Sequence, residues 1–106
     1  MAITVTSEDH VKGGKTVVIS CGAGETTLPF FLPPYDIGFC MTPVGGTSKV
    51  QYCYSPQSVL QANPSNGKWA DFSALTASQT FGTLPTASAL RLVCSAGTCS
   101  LEVRVP

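Results

Sequence analysis

The sequence predicts a small all-β domain, an antiparallel β-sandwich or barrel with one short helical turn. Its long apolar patterns repeat at every second residue, which is the spacing of side chains on one face of a strand. Clusters of glycine, proline and asparagine separate these patterns, as turns separate short strands. At 106 residues the chain has room for one hydrophobic core. We therefore expect a single β domain over 13–106, preceded by an N-terminal arm or edge strand over 1–12.

The clearest strands lie at the C-terminus, on both sides of a turn at Ala96-Gly97. Apolar and mostly polar residues alternate there, which predicts an antiparallel hairpin with one face against the core. We expect four aliphatic side chains to be buried: Leu90, Leu92, Leu101 and Val103. We expect the charged side chains between them to be more exposed, namely Arg91, Glu102 and Arg104.

A second hairpin is predicted over 38–55, with its turn at 45–48. Gly46 would supply the positive φ that a tight hairpin turn needs. The two hairpin registers place cysteines opposite each other on neighbouring strands, where side chains come close. They predict Cys40 beside Cys53 and Cys94 beside Cys99, and they leave Cys21 unpaired.

Shorter elements fill the rest of the chain. Runs rich in β-branched or aromatic residues predict strands at 3–6, 16–20, 69–72 and 79–81. One helical turn is predicted where Ser55 can act as a cap and Pro56 suits the first helical position. Pro64 would end that turn at about residue 63.

Composition excludes several classes of function. Charged residues make up 11% of the chain and the net charge is zero, whereas about 25% charged residues is average. No run of lysine or arginine exists, which argues against a nucleic-acid partner. No apolar stretch approaches the roughly 18 residues that a membrane span requires. The N-terminus lacks the basic region and apolar run of an export signal, so synthesis in a cytoplasm and reduced thiols are expected.

No residue pattern predicts catalysis or metal binding. The single histidine, His10, lies in a polar stretch without a nucleophile motif, and the carboxylates are scattered along the chain. The five cysteines contain no C-x-x-C pair, which structural zinc sites commonly use. We expect no enzyme activity, no metal and no cofactor. A small hydrolase would instead need a pocket that holds two nearby carboxylates.

A low charge content is typical of surfaces that are covered in an assembly. The N-terminal arm has a strand-like pattern that can add to a neighbouring sheet. The loop over 30–35 is the densest apolar segment, and it either docks on a partner or folds over the end of the core. The candidate interface residues are Ile3, Val5, Phe30, Phe31, Leu32, Pro33, Tyr35 and Trp69.

Three stretches of sequence carry a resemblance: 50–55, Trp69, and 88–103 with its small-residue turn. They resemble small β-sandwich virion proteins of tailed bacteriophages, among them capsid decoration (cement) proteins. The resemblance covers 38–106. It implies a non-enzymatic virion protein that binds the major capsid protein as a homo-oligomer, a trimer, and stabilises the shell. The alternative is a carbohydrate- or receptor-binding module of a phage fibre or tail.

Overall fold

The computed structural model describes residues 3–10, 13–84 and 86–105. They form two antiparallel sheets and one short helix, so the predicted all-β sandwich with a helical turn is confirmed. Residues 1, 2, 11 and 12 of the predicted arm lie outside the described residues, as do 85 and 106. Among the described residues, no helix has the length and apolar character that crossing a bilayer requires.

In chain order, the described residues contain nine strands and one α-helix. They are β1 (Thr4–Asp9), β2 (Lys15–Gly22), β3 (Phe30–Phe31), β4 (Ile37–Val44), β5 (Ser48–Cys53), α1 (Gln57–Ala62), β6 (Trp69–Asp71), β7 (Thr80–Leu84), β8 (Ala89–Cys94) and β9 (Thr98–Val105). A 3-10 turn over Pro64–Asn66 follows α1. The larger sheet has the strand order β1-β2-β9-β4-β7, and the smaller sheet has the order β3-β8-β5-β6.

The core lies between the two sheets and follows the predicted alternation. Leu101 and Val103 of β9 are buried, while Glu102 between them is exposed. On β8, Leu90 and Leu92 are buried, so the predicted face of all four aliphatic residues is confirmed. Other fully buried side chains of this core include Ile19, Ile37, Met41 and Val50.

The pairing of both predicted hairpins is wrong. β4 pairs with β9 and β7 in the larger sheet, whereas β5 pairs with β8 and β6 in the smaller one. β8 and β9 also lie in different sheets. Each turn therefore carries the chain from one layer to the other. The prediction failed because a strand has the same period-two pattern in either layer of a sandwich.

The two turns that cross between the layers pack against each other. Ser95 donates its backbone N–H to the Thr47 carbonyl at 3.0 Å. The positive φ of the 45–48 turn, 71°, is at Gly45 and not at Gly46 as predicted. A Cβ at Gly46 would overlap the backbone of Ala96. Glycine is required at 46 because the other turn approaches so closely.

The cysteine neighbours follow these strand pairings. Cys40 lies in the larger sheet and Cys53 in the smaller one, so their predicted pairing is wrong. The sulfurs of Cys94 and Cys99 are neighbours as predicted, but they approach from opposite sheets. Cys21, predicted to be unpaired, lies directly opposite Cys99 on the adjacent strand. All five cysteines are free thiols.

Helix α1 covers the outer face of the smaller sheet. Ser55 does not cap it as predicted, because the Ser55 hydroxyl instead accepts the backbone N–H of Lys68 at 3.1 Å. Leu60 is the buried residue of α1 and belongs to a second, smaller apolar cluster between the helix and the sheet. The other members of this cluster are Cys53, Ala89, Phe31 and Trp69.

Candidate functional site

A groove of about 320 Å³ lies beneath β1 at the edge of the larger sheet. We call it the β1 groove. Val5 and Leu28 are 60% and 77% exposed, which is unusual for large aliphatic side chains that lie together. None of its lining residues carries a charge; they are Ile3, Val5, Ile19, Thr27, Leu28, Pro29 and Phe30.

The alternation along β1 and β2 explains the floor and one wall of the groove. Val5 pairs with Ile19 of β2, and directly paired residues of an antiparallel sheet point to the same face. Ile19 is buried, whereas every residue of β1 is exposed because β1 forms the edge of the sheet. The segment 27–30 forms the other wall. The Thr27 hydroxyl fixes this wall by accepting the Leu92 N–H at 3.0 Å.

Three of the predicted interface residues, Ile3, Val5 and Phe30, meet in the β1 groove. Sequence reasoning missed Leu28, which lies two residues before the apolar loop and outside any periodic pattern. Leu32 is buried in the core, and Pro33 lines a separate surface depression. Tyr35 is exposed but does not line the β1 groove.

Phe31 and Trp69 pack in the apolar cluster beneath α1 and not in the β1 groove. The Trp69 indole N–H donates to the Pro64 carbonyl at 2.8 Å. The Arg91 guanidinium lies 4.1 Å from the centre of the Trp69 ring, and burial lowers the pKa of that guanidinium. These contacts hold Trp69 in place on the outer face of the smaller sheet.

A shallow depression on the outer face of the larger sheet contains one carboxylate among its described lining residues, that of Glu102. Arg104, Cys40 and the exposed Phe81 also line it. Glycoside hydrolysis by two side chains needs two carboxyl groups flanking one bond. The described residues of this depression therefore do not provide the carboxylate pair that the hydrolase alternative requires.

A second chemically distinctive feature is a cluster of three buried thiols. The sulfurs of Cys21 and Cys99 lie 3.5 Å apart, and those of Cys21, Cys94 and Cys99 all lie within 4.8 Å of one another. We call these residues the thiol cluster. Burial raises the pKa of the Cys21 and Cys99 thiols, because the apolar surroundings disfavour the charged thiolate. Glu25 adds its negative charge to the same effect on Cys21.

Burial of the thiol cluster predicts selective alkylation of the folded protein. Iodoacetamide at about pH 8 should modify the half-buried Cys40 well before Cys21 or Cys99, because the thiolate is the reactive form and must be reachable. Peptide mass spectrometry after increasing reaction times measures this order. The same reaction in denaturant is the control, in which the cysteines should react at similar rates. Equal labelling in the folded protein would contradict the buried cluster.

Comparison with solved structures decides the type of sandwich. An oxalate oxidase structure superposes with a TM-score of 0.63 at 14% identity, covering 96% of this chain and 49% of that one. A cupin superfamily protein from Desulfitobacterium hafniense DCB-2 gives 0.58 at 8% identity, covering 98% and 77%. The chain has a cupin-like fold. A cupin domain from Bordetella pertussis Tohama I gives 0.53 at 10% identity, covering 99% and 94%.

These likenesses concern the fold, since all three identities lie far below those of close relatives. The cupin-like chain spans about half the length of the oxalate oxidase structure, 49%. No family model matches the chain, and neither does any curated protein.

The resemblance to phage decoration proteins, and the shell-stabilising function drawn from it, are wrong. Solved structures that superpose over nearly the whole chain include an oxalate oxidase and cupin proteins. The fibre or tail module rested on the same resemblance and is overturned with it. The resemblance misled because short alternating strands and small-residue turns are common to many β-sandwiches. The capsid-protein partner and the virion location stay predictions.

Proposed function

We propose that this cupin-like chain is a non-catalytic binding module that assembles with a second copy of itself through β1. The observation that carries the proposal is the pair of exposed side chains, Val5 and Leu28, beside a strand edge. Within the described part of the chain, β1 pairs with β2 alone, so its other edge is open. An open edge presents unpaired backbone donors and acceptors to another strand.

The charges on β1 favour a particular register for a second copy. If two β1 strands pair antiparallel about Val5, the two Val5 side chains lie opposite each other on the groove side. Glu8 and Asp9 then lie at opposite ends of the paired strands, so like charges do not meet. A register centred on Glu8 would oppose two carboxylates, which destabilises a strand pair. The register about Val5 covers exposed apolar surface and avoids this repulsion.

The interior of the sandwich supports a non-catalytic role. Aliphatic and aromatic side chains from both sheets and the three thiols of the thiol cluster fill it, and the buried polar side chains among the described residues are those of Thr27 and Ser48. Neither residue is a common general acid or base. The best-defined apolar surface for a partner is therefore outside the core, at the β1 groove.

Val5→Asp tests the self-association. Sedimentation equilibrium over a range of concentrations should give the mass of two chains for the unchanged protein. Val5→Asp should raise the dimer dissociation constant by about 30-fold or more, because an anchor residue of an interface contributes about 2 kcal/mol or more. Leu28→Asp should act in the same direction without altering a strand, since Leu28 lies outside the strands.

Val44→Asp is the matched control, because Val44 is 61% exposed and lies outside the β1 groove. It should leave the dimer unchanged. A protein that stays monomeric at every concentration, or a Val44→Asp variant that dissociates equally, would refute the proposal. A monomer whose groove binds the apolar dye ANS in a Val5-dependent way would assign the groove to a small ligand. The trimer predicted from the sequence would require a mass of three chains.

A further inference from the structure

The thiol cluster brings together residues from three strands and both sheets. Cys21 of β2 and Cys99 of β9 are paired residues of the larger sheet, and Cys94 reaches them from β8 of the smaller sheet. A zinc ion bound tetrahedrally at about 2.3 Å from each sulfur would place those sulfurs about 3.8 Å apart. The sulfurs already lie 3.5 Å apart for Cys21 and Cys99, and within 4.8 Å for the whole cluster. Small side-chain rotations therefore suffice to form three bonds to one ion.

Ser48 provides a second, independent observation at the same place. Its side chain is fully buried, and its hydroxyl has no hydrogen-bond partner among the described residues. Ser48 pairs directly with Cys94 across β5 and β8, so its side chain lies beside the thiol cluster. A buried hydroxyl without a partner costs about 1–3 kcal/mol. A metal ion bound among the three sulfurs would give the Ser48 oxygen a bonding partner.

We propose that Cys21, Cys94 and Cys99, with the Ser48 hydroxyl as oxygen donor, form a binding site for a thiophilic divalent ion of the zinc class. Zinc binds thiolate sulfur and is four-coordinate in structural sites, so three thiolates leave one position that the hydroxyl oxygen would fill. The site goes beyond the proposed self-association, because none of the four residues lines the β1 groove.

Binding is an exchange of protons for the ion. Three S–H bonds break, three metal–sulfur bonds form, and three protons pass to solvent, without any transfer of electrons. The Cys94 thiol now points at the carbonyls of Ala96 and Gly97, at 3.4 and 3.6 Å. It must turn from them towards the ion as its proton leaves. The turn that follows Cys94 reaches the surface, where Ser95 and Ala96 are exposed.

Cadmium titration of the full chain under a phosphine reductant tests the site. Sulfur-to-metal charge-transfer absorption in the ultraviolet should rise to an end point of one ion per chain, and Cd²⁺ should displace Zn²⁺ from zinc-loaded protein because thiolate sulfur binds the softer ion more tightly. Cys99→Ala should abolish the stoichiometric end point, while Cys40→Ala, the matched control, should retain it. Circular dichroism of both variants shows whether they fold, and Cys21→Ala replaces Cys99→Ala if that variant does not.

Ser48→Ala separates the oxygen donor from a merely structural serine. Without metal it should raise the melting temperature, because it removes a buried hydroxyl that lacks a partner. Its cadmium affinity should fall by about 10–100-fold, as when groups supporting metal ligands are lost. The absence of a one-ion end point overturns the proposal, as does full binding by both Cys99→Ala and Cys21→Ala. A Cys21–Cys99 disulfide that resists the reductant also overturns it, and unchanged affinity in Ser48→Ala excludes the oxygen donor.

Discussion

Truncation of Leu101 to alanine is expected to lower the free energy of unfolding by about 2–5 kcal/mol, the usual range for a buried leucine. Leu101 has no exposed surface and lies on β9, the middle strand of the larger sheet. Its strand neighbours are Ile19 on β2 and Met41 on β4, both fully buried. Side chains held on rigid strands on both sides cannot collapse far into the cavity, so the loss should lie within this range.

Urea denaturation of the two proteins measures this loss. For a domain of this size, each kcal/mol should also lower the melting temperature by about 4–8 °C. Glu102→Ala is the adjacent control, because Glu102 is exposed on the other face of the same strand. It should change stability by about 0.5 kcal/mol or less. A loss below about 1 kcal/mol for Leu101→Ala would show that this position is not part of a close-packed core.

The second large effect is expected for Gly97→Ala, with Gly45→Ala as its matched control. Both glycines have a φ of 71°, which costs an alanine about 1–2 kcal/mol. A Cβ at Gly45 meets nothing within 4 Å. A Cβ at Gly97 would overlap the Val44 carbonyl oxygen and lie 2.7 Å from the carbonyl carbon of Gly45.

Gly97→Ala should therefore cost about 1–3 kcal/mol more than Gly45→Ala, the usual scale of overpacking against atoms that cannot move freely. Because both substitutions impose the same backbone strain, the difference between their unfolding free energies isolates the clash between the two turns. Chemical denaturation of both variants gives that difference. Equal losses would mean that the 45–48 and 95–97 turns do not pack as closely as described.

The β1 groove was partly predictable from the sequence. Ile3 and Val5 were predicted as contact residues from the strand pattern of the N-terminus, and Phe30 from the apolar loop, and all three line the groove. Their proximity was not predictable from the sequence, because it depends on the pairing of β1 with β2 at the edge of the larger sheet. Leu28 has no periodic pattern around it, and its exposure follows from the course of the chain into β3.

The cupin-like fold was not predictable from these residues. The solved structures that share it are 8–14% identical to this chain, so few side chains are held in common. A sandwich can be built from many sequences, because its core needs apolar residues of suitable volume at alternating positions and not particular residue types. The small-residue turn and alternating strands over 88–103 therefore suggested phage decoration proteins, which was wrong.

The sequence by itself determined where most of the strands lie and which face of the C-terminal strands meets the core, although β3 falls in the segment predicted as a loop. Alternation is a local property, and burial of Leu90, Leu92, Leu101 and Val103 follows from it. The tertiary structure alone decided which layer each strand joins, because both layers demand the same alternation. The thiol cluster depends on that decision: Cys21 and Cys99 are 78 residues apart in the chain and meet through strand pairing. Cys94 completes the cluster because a turn places β8 in the opposite sheet, where its sulfur faces theirs across the core.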